Sequence, residues 1–350
     1  MKKIIHVSNF NLLRLKGCFQ VGFSMKISNG LIRNGYSVYN YPDRDLSRMF
    51  GFGHMNFWGK KKVNEHLIEF CKMVRPDVLF IGHADNIYAS TISEIRDMFP
   101  KLRVVQWNCD WIVPGMAERN INALNDKKDV CDVTFVSTGD KELLKQFKTK
   151  CNKVCYLPNM VDGSVETGKS FEKETLPYDI MLAASTGKRQ FCGKDEELEN
   201  IIAEAEKKIP DIKWLLGGIG DNKTFNGADY IEAFTKASMG FNISRVNDVY
   251  LYSSDRMAHI MANGQLAFVD RRTGFNDLFD ELEVAFYSEP EEFFDKVKFF
   301  KQNPLKRMKM AKKGYEKVHT QFNEQVLTKY MMDVLFQKKK VYLLPWQIIL

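Results

Sequence analysis

The chain has 350 residues, 45% of them hydrophobic and 27% charged, enough apolar material for a large core and room for about two domains of 100–200 residues. That composition excludes intrinsic disorder, collagen and a coiled coil. The 51 Lys and Arg against 44 Asp and Glu leave a formal charge of +7, which suits phosphorylated or carboxylated partners and falls short of a nucleic-acid-binding protein.

In chain order, Lys3 to Ser8 reads as a strand, Asn9 to Gly17 as a loop and Phe19 to Arg33 as a helix, the opening of an α/β unit. Asn34-Gly35 punctuates that helix. Ser37 to Tyr41 is a second strand, and a helix over Val63 to Val74 leads through Arg75-Pro76 into the buried strand Val78 to Ile81. A helix over Ser90 to Met98, the strand Arg103 to Trp107, a further helix and the strand Asp132 to Val136 continue the alternation. The helix Lys141 to Phe147 and the apolar run Val154 to Leu157 complete the first half. Pro158 to Pro177 is polar and turn-rich and reads as an interdomain linker. Beyond it the alternation resumes. The expected elements are the strand Tyr178 to Ala183, a helix over Asp195 to Ile209, the strand Lys213 to Leu216 and a helix over Tyr230 to Ala237. The strand Gly240 to Ile243, a helix over Asp255 to Ala262 and the strand Gln265 to Val269 follow. Strands alternating with helices predict parallel sheets covered on both faces.

The seven cysteines are scattered, with no CxxC pair and no His at zinc spacing, so neither structural disulfides nor a metal site is expected. The apolar run after the basic N-terminus is too short for a secretory signal. No segment approaches the ~18 uninterrupted apolar residues of a membrane span. These features point to a cytoplasmic protein.

Ligands of open α/β sheets bind beyond the carboxyl ends of the strands. In the second half those ends carry Ser185, Lys188 and Arg189, then Gly218, then Asn242 and Arg245, then Ser253, Ser254 and Arg256. Glycine admits a close phosphate, hydroxyls donate to it and arginine forks onto it, so together these residues describe an anion site. Taken alone, a glycine cluster such as GGIG after a strand is most often a plain turn. No Walker loop or GxGxxG fingerprint is present, which removes support for kinases, ATPases and dehydrogenases. Arg256 stands in the first turn of a helix, unfavourable for the dipole, and shares a face with His259.

The stretch from Tyr230 to about Phe322 resembles the C-terminal domain of group 1-type glycosyltransferases, in the branch termed spore-maturation-protein-like. The likeness rests on Ser254, Arg256, Ala262, Gly264 and Asp270, then Glu289 to Phe294, then Ala311, Gly314 and Val318. The first half matches only in layout, including the turn Pro158 to Asp162. The resemblance implies an α/β GT-B architecture of two Rossmann-like domains facing each other across a cleft: residues 1–160 on the acceptor side and residues 178–325 holding the nucleotide-sugar donor. The helix and apolar tail at 326–350 are expected to pack on the first domain or on a membrane surface. Arg14, Lys16, Gly17 and Trp111 are acceptor-binding candidates. Asp110, then His83 or Asp85, is the candidate to deprotonate the acceptor hydroxyl or attack the anomeric carbon, although Asp110 and Asp85 are equally suited to capping a helix. The family's donor-binding Glu aligns with His259 here, which suggests an extra anion on the donor, as in a CMP-linked keto-acid sugar such as Kdo.

The expected activity is transfer of a sugar from an activated nucleotide to a glycan or glycolipid in surface polysaccharide assembly. It is expected to proceed without a metal or other cofactor. A sugar-nucleotide epimerase or a non-catalytic nucleotide-sugar-binding protein fits the same layout. The partners are then a nucleotide sugar and an acceptor, with peripheral contact to the inner face of a membrane as an option and no nucleic acid.

Overall fold

The computed structural model describes residues 1–13, 22–51, 56–337, 344 and 346–350. The chain divides into two units, Met1–Pro158 with Glu324–Leu350, and Asn159–Asn323.

The first unit runs β1 (Lys3–Ser8), α1 (Phe23–Arg33), β2 (Ser37–Tyr41), α2 (Asp43–Phe50), α3 (Asn56–Val74), β3 (Val78–Gly82), α4 (Ala89–Met98), β4 (Arg103–Asn108), α5 (Glu118–Asn125), β5 (Val133–Val136), α6 (Lys141–Lys145) and β6 (Lys153–Tyr156). The strands form a parallel sheet in the order β2-β1-β3-β4-β5-β6. Uninterrupted apolar runs such as Val78 to Ile81 become central strands because helices cover both faces. Asp140 starts α6 by accepting from the N–H groups of Glu142 and Leu143.

The order reverses between β1 and β3, so the loops after these two strands flank the point where such sheets take ligands. Gly82, the last residue of β3, is required there: a Cβ would lie 1.8 Å from the Trp107 ring. That ring is itself fixed. Its indole N–H donates to His6 Nε2 at 3.1 Å, so the His6 Nδ1–H donates to Ser28 Oγ at 2.8 Å, and the Ser28 hydroxyl donates to Asn40 Oδ1 at 2.7 Å. The buried imidazole is neutral, its pKa pushed down to about 3 by desolvation.

The second unit holds β7 (Tyr178–Ala183), β8 (Lys188–Phe191), β9 (Lys194–Glu197), α7 (Leu198–Lys208), β10 (Trp214–Gly217), α8 (Ala228–Lys236), β11 (Ala237–Asn242), α9 (Arg256–Ala262), β12 (Leu266–Asp270), β13 (Ala285–Tyr287), α10 (Pro290–Gln302) and α11 (Pro304–Gln321). Its main sheet is parallel in the order β10-β7-β11-β12-β13, with the reversal between β7 and β11. The core beneath it is rich in aromatic rings, Phe191, Phe241, Phe268, Tyr287 and Phe293 among them.

Two expectations change. The helix expected from Asp195 starts at Leu198, because β8 and β9 pair as an antiparallel hairpin first. Its two-residue turn, Cys192-Gly193, has positive φ at both positions (51° and 80°), the geometry that matches strand twist. The segment read as a linker is folded into the second unit from Asn159 onward: the Val161 N–H donates to the Phe322 carbonyl, and the Ser170 hydroxyl to the Phe234 carbonyl. The chain then returns to the first unit through α12 (Glu324–Leu335), which packs on α1 so closely that a Cβ on Gly30 would meet the Glu324 carbonyl oxygen at 2.2 Å.

The described end of the apolar tail pairs with β6. Val154 and Leu350 exchange two backbone hydrogen bonds, Tyr156 N–H donates to Ile348, and the buried Trp346 ring meets Tyr330 edge-on at 4.7 Å. Among the described residues no helix is long and apolar enough to cross a membrane.

Candidate functional site

In the second unit, Arg256 spans the point where the strand order reverses. Its Nε donates to the Ala183 carbonyl at the end of β7 (2.8 Å) and its Nη1 to the Ile243 carbonyl just past β11 (2.6 Å). Arg189 is 4% exposed and staples the intervening loop. It donates to the carbonyls of Ser185, Gly187 and Lys188 and to the Ser185 hydroxyl. Neither guanidinium has a carboxylate partner among the described residues. Burial, then the neighbouring charges of Arg256 and Arg245, push Arg189 down to about 10, and burial lowers Arg256 as well. Three cations therefore share one region and repel one another.

Unsatisfied polar atoms cluster at the same strand end. Asn242 Nδ2, Ser244 Oγ and Ser254 Oγ are buried with no hydrogen-bond partner among the described residues. Asn242 is held by the Ser253 hydroxyl, which donates to its Oδ1 at 3.2 Å. A buried amide or hydroxyl left unpaired costs about 1–3 kcal/mol. Three of them in the region of three arginines are the kind of group that a multiply charged, oxygen-rich anion such as phosphate would pair.

The remaining donor-side candidates separate. Gly218 (φ 74°) spends its N–H on the Lys223 carbonyl, so the GGIG segment is a turn. Ser185 is exposed on the loop that Arg189 staples. Lys188 is exposed and alternates with the inward Arg189 along β8, which places it on the opposite face of the hairpin, away from the arginines.

His259 is buried. Its Nδ1 lies 2.5 Å from Glu166 Oε1, while Glu166 Oε2 accepts from the Asp162 N–H at 2.6 Å. Tyr230 and Phe234 pack against the ring. The partner of His259 thus comes from a distant part of the chain. Sequence reasoning missed Glu166 because it sits in a polar segment read as linker.

In the first unit, His83 follows β3 and Asp110 follows β4. His83 takes a left-handed backbone (φ 49°), its Nε2 lies 3.4 Å from Cys109 Sγ, and its Nδ1 lies 3.7 Å from Asp110 Oδ2. Asp110 keeps its side chain 52% exposed, and its N–H donates to Asn108 Oδ1 at 2.6 Å. Asp85 is different: its carboxylate is held by Arg44 (2.6 Å) and Arg119 (2.8 Å). Trp111 is half-buried and its carbonyl accepts from Asn120. Arg14, Lys16 and Gly17 lie outside the described residues.

Residues 189–333 match the family model described as glycosyl transferase-like. No curated protein matches the sequence significantly. Among solved structures, the chain is similar to HepE of Anabaena in complex with UDP and glucose (TM-score 0.62, 10% identity, 96% of this chain and 100% of that one). It is also similar to a glycosyltransferase of Rickettsia africae (TM-score 0.60, 11% identity, 97% and 99%). A UDP-N-acetylglucosamine 2-epimerase shares the fold more distantly (TM-score 0.50, 12% identity, 96% of each chain). The chain thus has the GT-B fold, two Rossmann-like domains, and carries a glycosyl transferase-like segment over residues 189–333.

Proposed function

We propose that this protein transfers a sugar from a nucleotide-activated donor to a glycan or glycolipid acceptor of surface polysaccharide assembly. The observation that carries the reading is the pairing, at the strand-order reversal of the second unit, of Arg256, Arg245 and Arg189 with the unpartnered Asn242, Ser244 and Ser254. Fixed donors and cations of this kind stabilise the negative charge that develops on a leaving phosphate. On the first unit, Asp110 takes the acceptor proton, with His83 beside it.

UDP is the nucleotide favoured first, because the similar HepE structure holds UDP and glucose. The ground for a CMP-linked keto-acid donor is weaker: His259, expected to lie near an anion of the donor, is buried with its Nδ1 against Glu166. CMP therefore serves as the contrast in the test.

Calorimetric titration of the full chain with UDP, GDP and CMP is expected to give saturable binding that Arg256→Met abolishes, while Lys188→Met leaves it unchanged. Incubation of the labelled nucleotide sugar with candidate acceptors is expected to release nucleotide with a glycosylated product, slowed ~100-fold in Arg256→Met, the scale of losing one preorganised electrostatic donor. No nucleotide binding would refute the reading. Conversion of the sugar nucleotide without acceptor would assign an epimerase instead.

A further inference from the structure

Three side chains of different chemistry meet at the carboxyl ends of β3 and β4. One His83 nitrogen, the Cys109 sulfur and an Asp110 carboxylate oxygen all lie within 4.8 Å of one another. Around a tetrahedral zinc with bonds of about 2.0–2.3 Å, neighbouring ligand atoms stand about 3.4–3.6 Å apart. The Nε2 to Sγ distance of 3.4 Å is already of that size. Asp110 Oδ2 now stands on the Nδ1 side of the imidazole, 3.7 Å from it, so the exposed Asp110 side chain has to swing toward Nε2 and the sulfur to share the ion.

The ligands are anchored independently of any ion. Gly82 lets the chain turn past Trp107, the left-handed backbone of His83 aims the imidazole, and the Trp107 ring packs edge-on against it at 5.2 Å. Strained backbone of this sort persists where the surroundings hold it and clusters at ligand sites. A thiol, an imidazole and a single carboxylate form a borderline-soft set that suits zinc and offers magnesium, which seeks oxygen ligands, little.

We propose that His83, Cys109 and Asp110 bind one zinc ion, with a fourth position open to solvent. Binding replaces the Cys109 S–H bond by a Zn–S bond and releases that proton to solvent, while His83 binds through neutral Nε2 and Asp110 as its carboxylate. The inference concerns residues that the proposed transfer also uses, but zinc uptake is read without any transfer assay, so the two can fail separately.

The test is titration of the full, tag-free chain with zinc chloride, followed by metal analysis after gel filtration. One zinc per chain is expected, with proton release shown by heats that depend on the buffer. Cobalt in place of zinc should give a thiolate-to-metal charge-transfer band in the unmutated protein. Cys109→Ser and His83→Gln should each weaken binding by at least about tenfold. Cys151→Ser, which removes an exposed thiol outside the cluster, should change nothing. Absence of zinc uptake, absence of the cobalt band, uptake undiminished in Cys109→Ser, or uptake lost in Cys151→Ser would each overturn the proposal.

Discussion

Two buried groups of the first unit titrate with opposite consequences, and their near-cancellation can be measured. His6 is neutral in the fold, its pKa lowered from 6.5 to about 3 by burial. Asp43 is raised from 3.8 to about 7, chiefly by burial and further by Asp85, against the Asn86 N–H and Arg44. Between pH 3 and 6.5 the unfolded chain binds a proton on His6 that the native chain refuses, so this group makes stability rise with pH. Between pH 3.8 and 7 the native chain keeps a proton on Asp43 that the unfolded chain loses, so this group makes stability fall with pH.

From pH 4.5 to 6.5, at 1.36 kcal/mol per pKa unit, the His6 contribution improves by about 2.3 kcal/mol and the Asp43 contribution worsens by about 2.4 kcal/mol. In the unmutated chain the two offset each other. Asp43→Asn, which keeps an acceptor for the Asn86 N–H, should leave stability rising by ~2 kcal/mol across this window relative to the parent. His6→Gln, which keeps an acceptor for Trp107, should leave it falling by the same amount. Urea unfolding at pH 4.5, 5.5 and 6.5 reads both as slopes, so a uniform loss of stability in either variant does not disturb the comparison. Identical pH slopes in parent and variants would refute the burial argument for both groups.

Gly82→Ala should destabilise the chain by about 3 kcal/mol or more, read by thermal unfolding, since the new methyl meets a Trp107 ring tied to His6. Trp346→Ala should cost about 3–5 kcal/mol, because that ring is buried against Tyr330 and its segment pairs with β6. A double-mutant cycle of Glu166→Ala and His259→Ala should show coupling of at least about 1 kcal/mol in urea unfolding, and additivity would contradict the buried pair. Zinc, by engaging His83 and Asp110, should slow sugar transfer reversibly, with recovery on adding EDTA.

The parallel architecture was legible because buried strands such as Val78 to Ile81 are uninterrupted apolar runs separated by helical periods. The β8–β9 hairpin was not: its residues Lys188 to Glu197 are mostly charged, and only the paired positive φ angles at Cys192 and Gly193 mark the turn. Arg256 was visible as an arginine poorly placed for the helix dipole, and its hydrogen bonds to two strand ends explain the placement. Lys188 was grouped with it because both follow strand ends, but strand alternation puts Lys188 on the far face from Arg189. Glu166 was out of reach, since its partner His259 lies 93 residues away and nothing local distinguishes it from a solvated acid.

A buried guanidinium normally carries a carboxylate, because desolvating the charge costs several kcal/mol that only a close opposite charge offsets. Arg256 has two backbone carbonyls instead, and Arg189 has three with one hydroxyl, so their positive charge is oriented but not neutralised. Glu197 and Glu199 counter Arg189 only from a distance, and they rank below the repulsion from Arg256 and Arg245. The carbonyls fix where the cations stand without consuming their charge, which a salt bridge would do. The same logic separates Asp85 from Asp110. Two arginines pair with the first, while the second is left exposed beside an imidazole. In both units the groups held in place but left electrically uncompensated follow strands that flank, or adjoin, the reversal of strand order, the position at which open α/β sheets take their ligands.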